Sequence, residues 1–209
     1  ITIRRSLEMA PNELVASADM VTFASGSVIS GSNVIIDGKG WHGFNFSSGA
    51  TVAMNGGAVT VLLSGSNVTL KNGFFNGNYG SGYASLGVIP PATGVTTVSY
   101  SDFYQSSYED QLNISASVGG GDVVFDHNVF RDNNKPNRSD TSHRDVSNPW
   151  TGTGGWGLTL SNNIFFNTPG HASDQPQGDE FLLQIGYGGS ATPLKKVIAF
   201  NNVVHNTAR

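Results

Sequence analysis

The run Val124-Phe125-Asp126-His127-Asn128-Val129-Phe130 returns as Thr159-Leu160-Ser161-Asn162-Asn163-Ile164-Phe165 and again as Ile198-Ala199-Phe200-Asn201-Asn202-Val203-Val204. Upstream, Thr97-Val98-Ser99-Tyr100-Ser101-Asp102-Phe103, Asn67-Val68-Thr69-Leu70-Lys71-Asn72-Gly73-Phe74 and Asn33-Val34-Ile35-Ile36-Asp37-Gly38 share the pattern. Taking Val34, Val68, Thr97, Val124, Thr159 and Ile198 as equivalent, the steps are 34, 29, 27, 35 and 39 residues. Four positions on stand Asn72, Ser101, Asn128, Asn163 and Asn202; six on stand Phe74, Phe103, Phe130, Phe165 and Val204. A lone short strand cannot bury its apolar face, so segments repeated at this period stack to complete one continuous core. Alternation within each segment sends one set of side chains inward. An Asn recurring at one turn position fits an internal ladder of amides bonded to each other and to turn backbone.

The pattern predicts an all-β chain forming a single-stranded right-handed parallel β-helix, one domain over residues 1–209. An antiparallel sandwich is the competing architecture, but it would space its strands more evenly and place no positional Asn. The variable steps put extra residues into loops at about 75–96, 131–157 and 168–194, where function usually sits on a rigid scaffold. Residues 6–16 carry Leu7, Ala10 and Leu14 at helical spacing and predict a short N-terminal capping helix, interrupted by Pro11 unless that residue lies in the first turn.

Composition narrows the partners. Lys and Arg number 11 against 15 Asp and Glu, a net charge of -4 without the basic face of a nucleic-acid binder. Gly contributes 27 residues, which suits a chain of many turns. The absence of cysteine excludes disulfides and thiolate metal sites and leaves the compartment open. No apolar run approaches the roughly 18 residues of a membrane span. Ile1 opens the chain without a charged and apolar leader, so any signal peptide has been removed or was never included in the sequence. The ending at Ala208-Arg209, directly after a strand-like run, suits a piece of something longer.

Ser6-Leu7-Glu8, then Met20-Val21-Thr22-Phe23, then Ser32-Asn33-Val34-Ile35-Ile36-Asp37-Gly38-Lys39-Gly40 follow an order of parts that resembles the beginning of the pectate lyase family. Val98 to Phe103, Glu109-Asp110-Gln111-Leu112-Asn113-Ile114 and Val124 to Lys135 look like that family's catalytic coils, and the segments after Leu160 and Val197 continue the likeness. The resemblance implies a secreted enzyme acting on acidic polysaccharide, with Ca²⁺ beside the substrate carboxylate. It implies metal ligands at Glu109 and Asn113, with Asp110 next door. Asn113 stands where the family has a second acid, and each lost carboxylate weakens a hard-cation site. The family's further acidic pair should fall near Tyr83 to Gly87, where this chain has no Asp or Glu. Lys135, seven residues past Asn128, matches the family's substrate-carboxylate Lys. His171, eight past Asn163, stands where the family has its proton-abstracting Arg, and its ordinary pKa suits proton transfer near neutrality.

The chemistry of uronate β-elimination asks for such a set. The proton α to a carboxylate becomes acidic only when cations neutralise the developing enediolate. Arg131, Lys135, Arg138, His143 and Arg144 gather five cationic or titratable groups within 14 residues, a local basic groove in a net-acidic protein. Lys135, His171 and Arg138 are the candidate catalytic residues, and Arg131, Arg144 and Trp150 the candidate substrate contacts. Arg138 and Arg144 could instead pair with Asp140 and Asp145, and Glu109 with Asp110 could cap a turn. Trp150, Trp156 and Tyr187 could stack on sugars or pack loops. Two other classes stay open. One is a non-catalytic carbohydrate-binding or tailspike-type β-helix. The other is a hydrolase, whose paired carboxylates could come only from Asp126, Glu109 and Asp110.

Overall fold

The computed structural model describes residues 1–4, 14–15, 20–23, 26–47, 52–54, 57–77, 84–105, 110–115, 120–132, 147–150, 155–166 and 195–205. At 47, 54, 57–58, 110, 115 and 147–150 the description covers the backbone alone. Over these residues the chain is all β, in three sheets whose neighbouring strands run parallel. The first sheet orders Thr2–Arg4, Ile35–Asp37, Thr69–Lys71, Val95–Ser99, Asp122–Asp126, Gly157–Ser161 and Lys196–Phe200. A second orders Ser27–Ile29, Gly57–Leu63, Ala84–Val88, Asp110–Ser115 and Ser147–Trp150, with Val52–Met54 joined antiparallel to Gly57–Leu63. The third orders Val21–Phe23, Phe44–Ser47, Gly73–Asn76, Asp102–Tyr104, Val129–Arg131, Ile164–Phe166 and Val203–His205.

The chain visits first, third and second sheet in fixed rotation, and each strand pairs with its counterpart one cycle later. Wherever a second-sheet strand is described, the cycle has three strands. The second-sheet strands Ala84–Val88 and Ser147–Trp150 lie inside stretches expected to be loops. They escape the pattern because flanking variable segments shift them relative to the repeat.

The corner between first and third sheets holds the expected ladder. Asn163 Oδ1 accepts from Asn128 N–H at 2.9 Å and Nδ2 at 3.1 Å. Asn202 Oδ1 accepts from Asn163 N–H and Nδ2, both at 3.0 Å. Each amide also reaches back one cycle, Asn128 Nδ2 to Val98 O, Asn163 Nδ2 to Phe125 O and Asn202 Nδ2 to Leu160 O. Ser101 is a shorter rung: its N–H donates to Asn128 Oδ1, and its Oγ accepts from Gly73 N–H. Just before each rung the backbone turns left-handed, at Tyr100 (φ 50°), His127 (φ 54°), Asn162 (φ 55°) and Asn201 (φ 53°). Asn tolerates that region best; Tyr100 and His127 occupy it with their rings stacked at 4.9 Å.

The two early segments at Val34 and Val68 depart together by one residue from the expected alignment, since Ile35 pairs with Thr69. Thr69, not Val68, pairs with Thr97, so Asn72 takes the left-handed position (φ 61°) and Gly73 the rung. Phe75 rather than Phe74 then faces inward. A one-residue slip moves every side chain to the opposite face. Phe75 is 0% exposed and stacks at 4.7 Å on Phe46 and 4.5 Å on Phe103, and the column continues through Phe130 to Phe165. Phe74 points outward against His42, with centroids at 4.2 Å. A Cβ at Gly73 would lie 3.1 Å from Phe46 and 3.2 Å from Leu70 and Phe75, so the ring column itself keeps the rung bare.

Val61, Leu63, Leu86, Val88, Leu112 and Ile114 from the second sheet and Ile36, Leu70, Val98, Phe125 and Leu158 from the first close the same core. The N-terminal capping helix is not borne out: no helix occurs among the described residues. Most of residues 6–16 lie outside them. Leu14 instead makes an isolated parallel bridge to Trp41 and is 63% exposed, whereas Val15 is 2% exposed and donates its N–H to Trp41 O. Pro11 lies within the expected helix, where the ring would remove one hydrogen bond and clash with the preceding turn.

The slip makes a sharp prediction. Phe75→Ala should destabilise the protein by about 3–5 kcal/mol in urea denaturation, while Phe74→Ala should cost about 1 kcal/mol. Equal losses would show that the two rings share one environment.

Candidate functional site

Alternation along Asp110–Ser115 sends Leu112 and Ile114 into the core and leaves Gln111 and Asn113 on the other face. In register, Ala84 faces Asp110, Leu86 faces Leu112 and Gly87 faces Asn113, and Asn148 follows Asn113 on the far side. The neighbouring strand thus brings no carboxylate to Asp110 or Asn113, in keeping with the missing acidic pair.

Asn113 is 1% exposed, and its Oδ1 is buried without a hydrogen-bond partner. That oxygen is a type that Ca²⁺ accepts, but Ca²⁺ takes six to eight oxygens with carboxylates among them. Among the described residues no three His, Cys, Asp or Glu side chains converge. The described residues therefore do not complete a Ca²⁺ set. Glu109 and the side chain of Asp110 lie outside the description.

Gln111, which the sequence reading passed over, is wholly buried. Its Nε2 donates to Phe103 O at 2.9 Å and to Arg131 O at 3.1 Å, so it joins the second-sheet strand to the end of the third sheet. The signal for it was one polar residue between Asp110 and Leu112, too little to mark a role.

Arg131 is held on all sides. Its Nε and Nη2 grip Asp102, with Nε–Oδ1 and Nη2–Oδ2 both at 2.9 Å, while Nη1 reaches Asp132 Oδ2 at 3.3 Å. The guanidinium carbon lies 4.4 Å from the Tyr104 ring centroid. Burial alone would lower its pKa, but the bonds and charge of Asp102, with Asp132, raise it above the usual value. Asp102, 2% exposed, accepts on Oδ2 from His42 Nε2 at 2.7 Å, and the His42 ring lies between Trp41 and Phe74. A guanidinium bound in this way is a fixed structural cation. It has little left for a uronate carboxylate. Neither His42 nor Asp102 was singled out in the sequence, because they stand 60 residues apart and meet only through stacking of the cycles.

Asp126 sits on the first sheet. Its Oδ1 accepts from Ser161 Oγ at 2.6 Å and Asn162 Nδ2 at 2.8 Å, and its Oδ2 pairs with His127 Nδ1 at 2.8 Å. Burial pulls its pKa upward, yet these bonds and the His127 charge outweigh it and hold the carboxyl below the ordinary range. A hydrolytic general acid needs the opposite shift. Asp37 is likewise lowered, burial being outweighed by Lys39 N–H, Asn72 and Lys71.

Lys135, Arg138, His143, Arg144, His171 and Tyr187 lie outside the described residues, as does the side chain of Trp150, whose backbone pairs with Ser115. Trp156 is a core residue at 0% exposure and so no sugar platform. Comparison with known proteins finds no matching family model, no matching curated protein and no matching solved structure.

The lowered carboxyls set a pH dependence. A folded-state pKa below the ordinary 3.8 contributes stability that is complete above that value and is lost as pH falls through the folded-state value. Asp126→Asn should therefore flatten the stability curve below about pH 4. Urea midpoints for wild type and variant from pH 6 to pH 2 check this: the gap between them should shrink as pH falls, and a constant gap would remove Asp126 as a source.

Proposed function

We propose that the chain is a single right-handed parallel β-helix that binds an acidic polysaccharide and cleaves it by β-elimination. Parallel strands joined by crossovers are right-handed in about 98% of cases, and the fixed rotation through three sheets is the order such a coil requires. The observation that carries the functional reading is the shared register of the resemblance's motifs. Asn128, Asn163 and Asn202 occupy one column, and the strand with Asp110 and Asn113 begins against the carbonyl of Arg131, four residues before Lys135. Stacking thus gathers the ends of the candidate segments at the corner where the third sheet leads to the second.

In this reading Lys135, with Arg138 or Arg144, neutralises the uronate carboxylate. His171 takes the proton α to it, and the electron pair left behind forms a C=C bond as the glycosidic oxygen departs. Arg131 serves as a clamp under the site, not as a substrate contact. Glu109, Asp110 and Asn113 are the residues toward which a Ca²⁺ would be drawn, though no step above depends on one. An enzyme of this class would act outside the cell.

The second reading, a carbohydrate-binding β-helix without turnover, draws on two observations. Ala84, Leu86 and Gly87 offer no acid to the facing strand, and Arg131 is spent on Asp102. Ultraviolet absorbance of unsaturated product, followed on a panel of uronate polymers with and without chelator, separates the two. The lyase reading expects signal on at least one polymer, lowered about a hundredfold by Lys135→Ala, in line with loss of one charge-stabilising group. Binding on a glycan array with no absorbance change on any polymer would leave the second reading standing.

A further inference from the structure

We propose that Asn67 is an N-glycan acceptor, whose side-chain nitrogen takes an oligosaccharide from a lipid-linked oligosaccharide diphosphate. The proposal rests on the reading above only in that the chain is exported; it does not depend on turnover.

The Asn-x-Ser/Thr sequence that such a transfer requires stands at Asn45, Asn67, Asn113 and Asn137, and the fold separates them. Asn113 is 1% exposed within its strand, with no room for a sugar on its amide. Asn45 is half-buried in mid-sheet, between Thr22 and Phe74. Asn137 lies outside the described residues. Asn67 is exposed at the corner where the chain enters the first sheet, in a left-handed turn (φ 54°). Val68 behind it is wholly buried. Alternation therefore returns Thr69, whose hydroxyl completes the motif, to the outer face beside it.

The bonds of the Asn67 side chain leave the required position free. Asn67 belongs to a second, outer ladder. Its Nδ2 donates to Asn33 Oδ1 at 3.1 Å one cycle back, and its Oδ1 accepts from Val95 N–H at 3.2 Å one cycle on. Nitrogen and oxygen thus reach opposite ways along the stack, so the N–H in use lies anti to the carbonyl. The other N–H, syn to the carbonyl, has no partner among the described residues. A glycosylated Asn is a secondary amide, and such amides hold their two carbon substituents trans. That rule puts the sugar in the syn position and keeps the anti N–H. Both ladder bonds therefore survive the modification. Gly94 gives the amide its room, since a Cβ there would collide with Asn67 Oδ1.

In the transfer, a bond forms between Nδ2 and C1 of the first sugar as the bond from C1 to the diphosphate oxygen breaks. The diphosphate departs with the electron pair, and Nδ2 gives up one proton to a base of the transferase. Only the chain glycosylated at Asn67 can then close its cycles without moving a core residue.

The test passes the full chain through a eukaryotic secretory host, beside the same chain made in a bacterial host that lacks the transferase, with Asn67→Gln and Thr69→Val as variants. Occupancy is read by peptide mass after glycosidase release in heavy-oxygen water, and stability by thermal melting. The secreted wild type should carry sugar on Asn67 in most molecules and none on Asn113, and both variants should lose it. Thr69→Val keeps the Asn67 side chain and its ladder bonds, so it carries the test if Asn67→Gln does not fold. The glycosylated and bare wild types should melt within about 3 °C of each other, because no ladder bond is lost. Secreted wild type with Asn67 unmodified, or with sugar on Asn113, would overturn the proposal. A larger fall in melting temperature on glycosylation would also overturn it, by showing that the sugar breaks the ladder. No unsaturated product from the same glycosylated protein would overturn the lyase reading and leave the Asn67 site standing.

Discussion

In-register parallel pairing between one cycle and the next is the constraint on which the molecule depends. Parallel strands bury both backbone polarity and apolar side chains only when equivalent positions coincide along the stack. The Asn column enforces that coincidence. Asn163 and Asn202 Oδ1 each take two donors from the cycle before, Asn128 Oδ1 takes one from Ser101 N–H, and each amide nitrogen returns to a carbonyl one cycle back. The Phe column inside and the Asn column at the corner are two readings of one register. Neither could persist if the other slipped.

Outside the core, the same register brings together groups that the chain keeps far apart. Asp102 binds His42 from an earlier cycle and Arg131 from the next. A buried carboxylate would be costly alone, and here one cation and one imidazole share it. The third sheet's outer face is therefore stitched over four cycles by charge and ring stacking, next to the strand end that Gln111 holds.

How much of this the sequence disclosed depended on how locally each feature is encoded. The corner was legible because a left-handed residue followed by Asn is a local signature repeated at Asn128, Asn163 and Asn202, with an inward Phe two positions on in the first two. The segments at Val34 and Val68 were misaligned by one because Asn72-Gly73 offers an Asn at the neighbouring position. Only strand pairing distinguishes the turn residue from the rung. Second-sheet strands such as Ala84–Val88 were hidden, since their flanking segments vary in length and nothing periodic announces them. Of the candidate site, the side chains of Asn113 and Arg131 are described. The partners that define them, Gly87 and Asp102, are long-range and had no sequence mark. Lys135 and His171 rest on spacing from the ladder alone.

The corner between first and third sheets has a further consequence. Between Lys71 and Phe74, Ser99 and Asp102, Asp126 and Val129, Ser161 and Ile164, and Phe200 and Val203, the chain always spends two residues. The two cycles before these are longer there, running from Arg4 to Thr22 and from Asp37 to Asn45, the second lodging Trp41 and His42 in its surplus. Change in length is therefore excluded at this corner once the ladder occupies it. A lineage of such chains can lengthen the arcs that lead out of the third sheet and can duplicate or lose whole cycles, but it cannot add a single residue beside an Asn rung without turning an entire strand inside out.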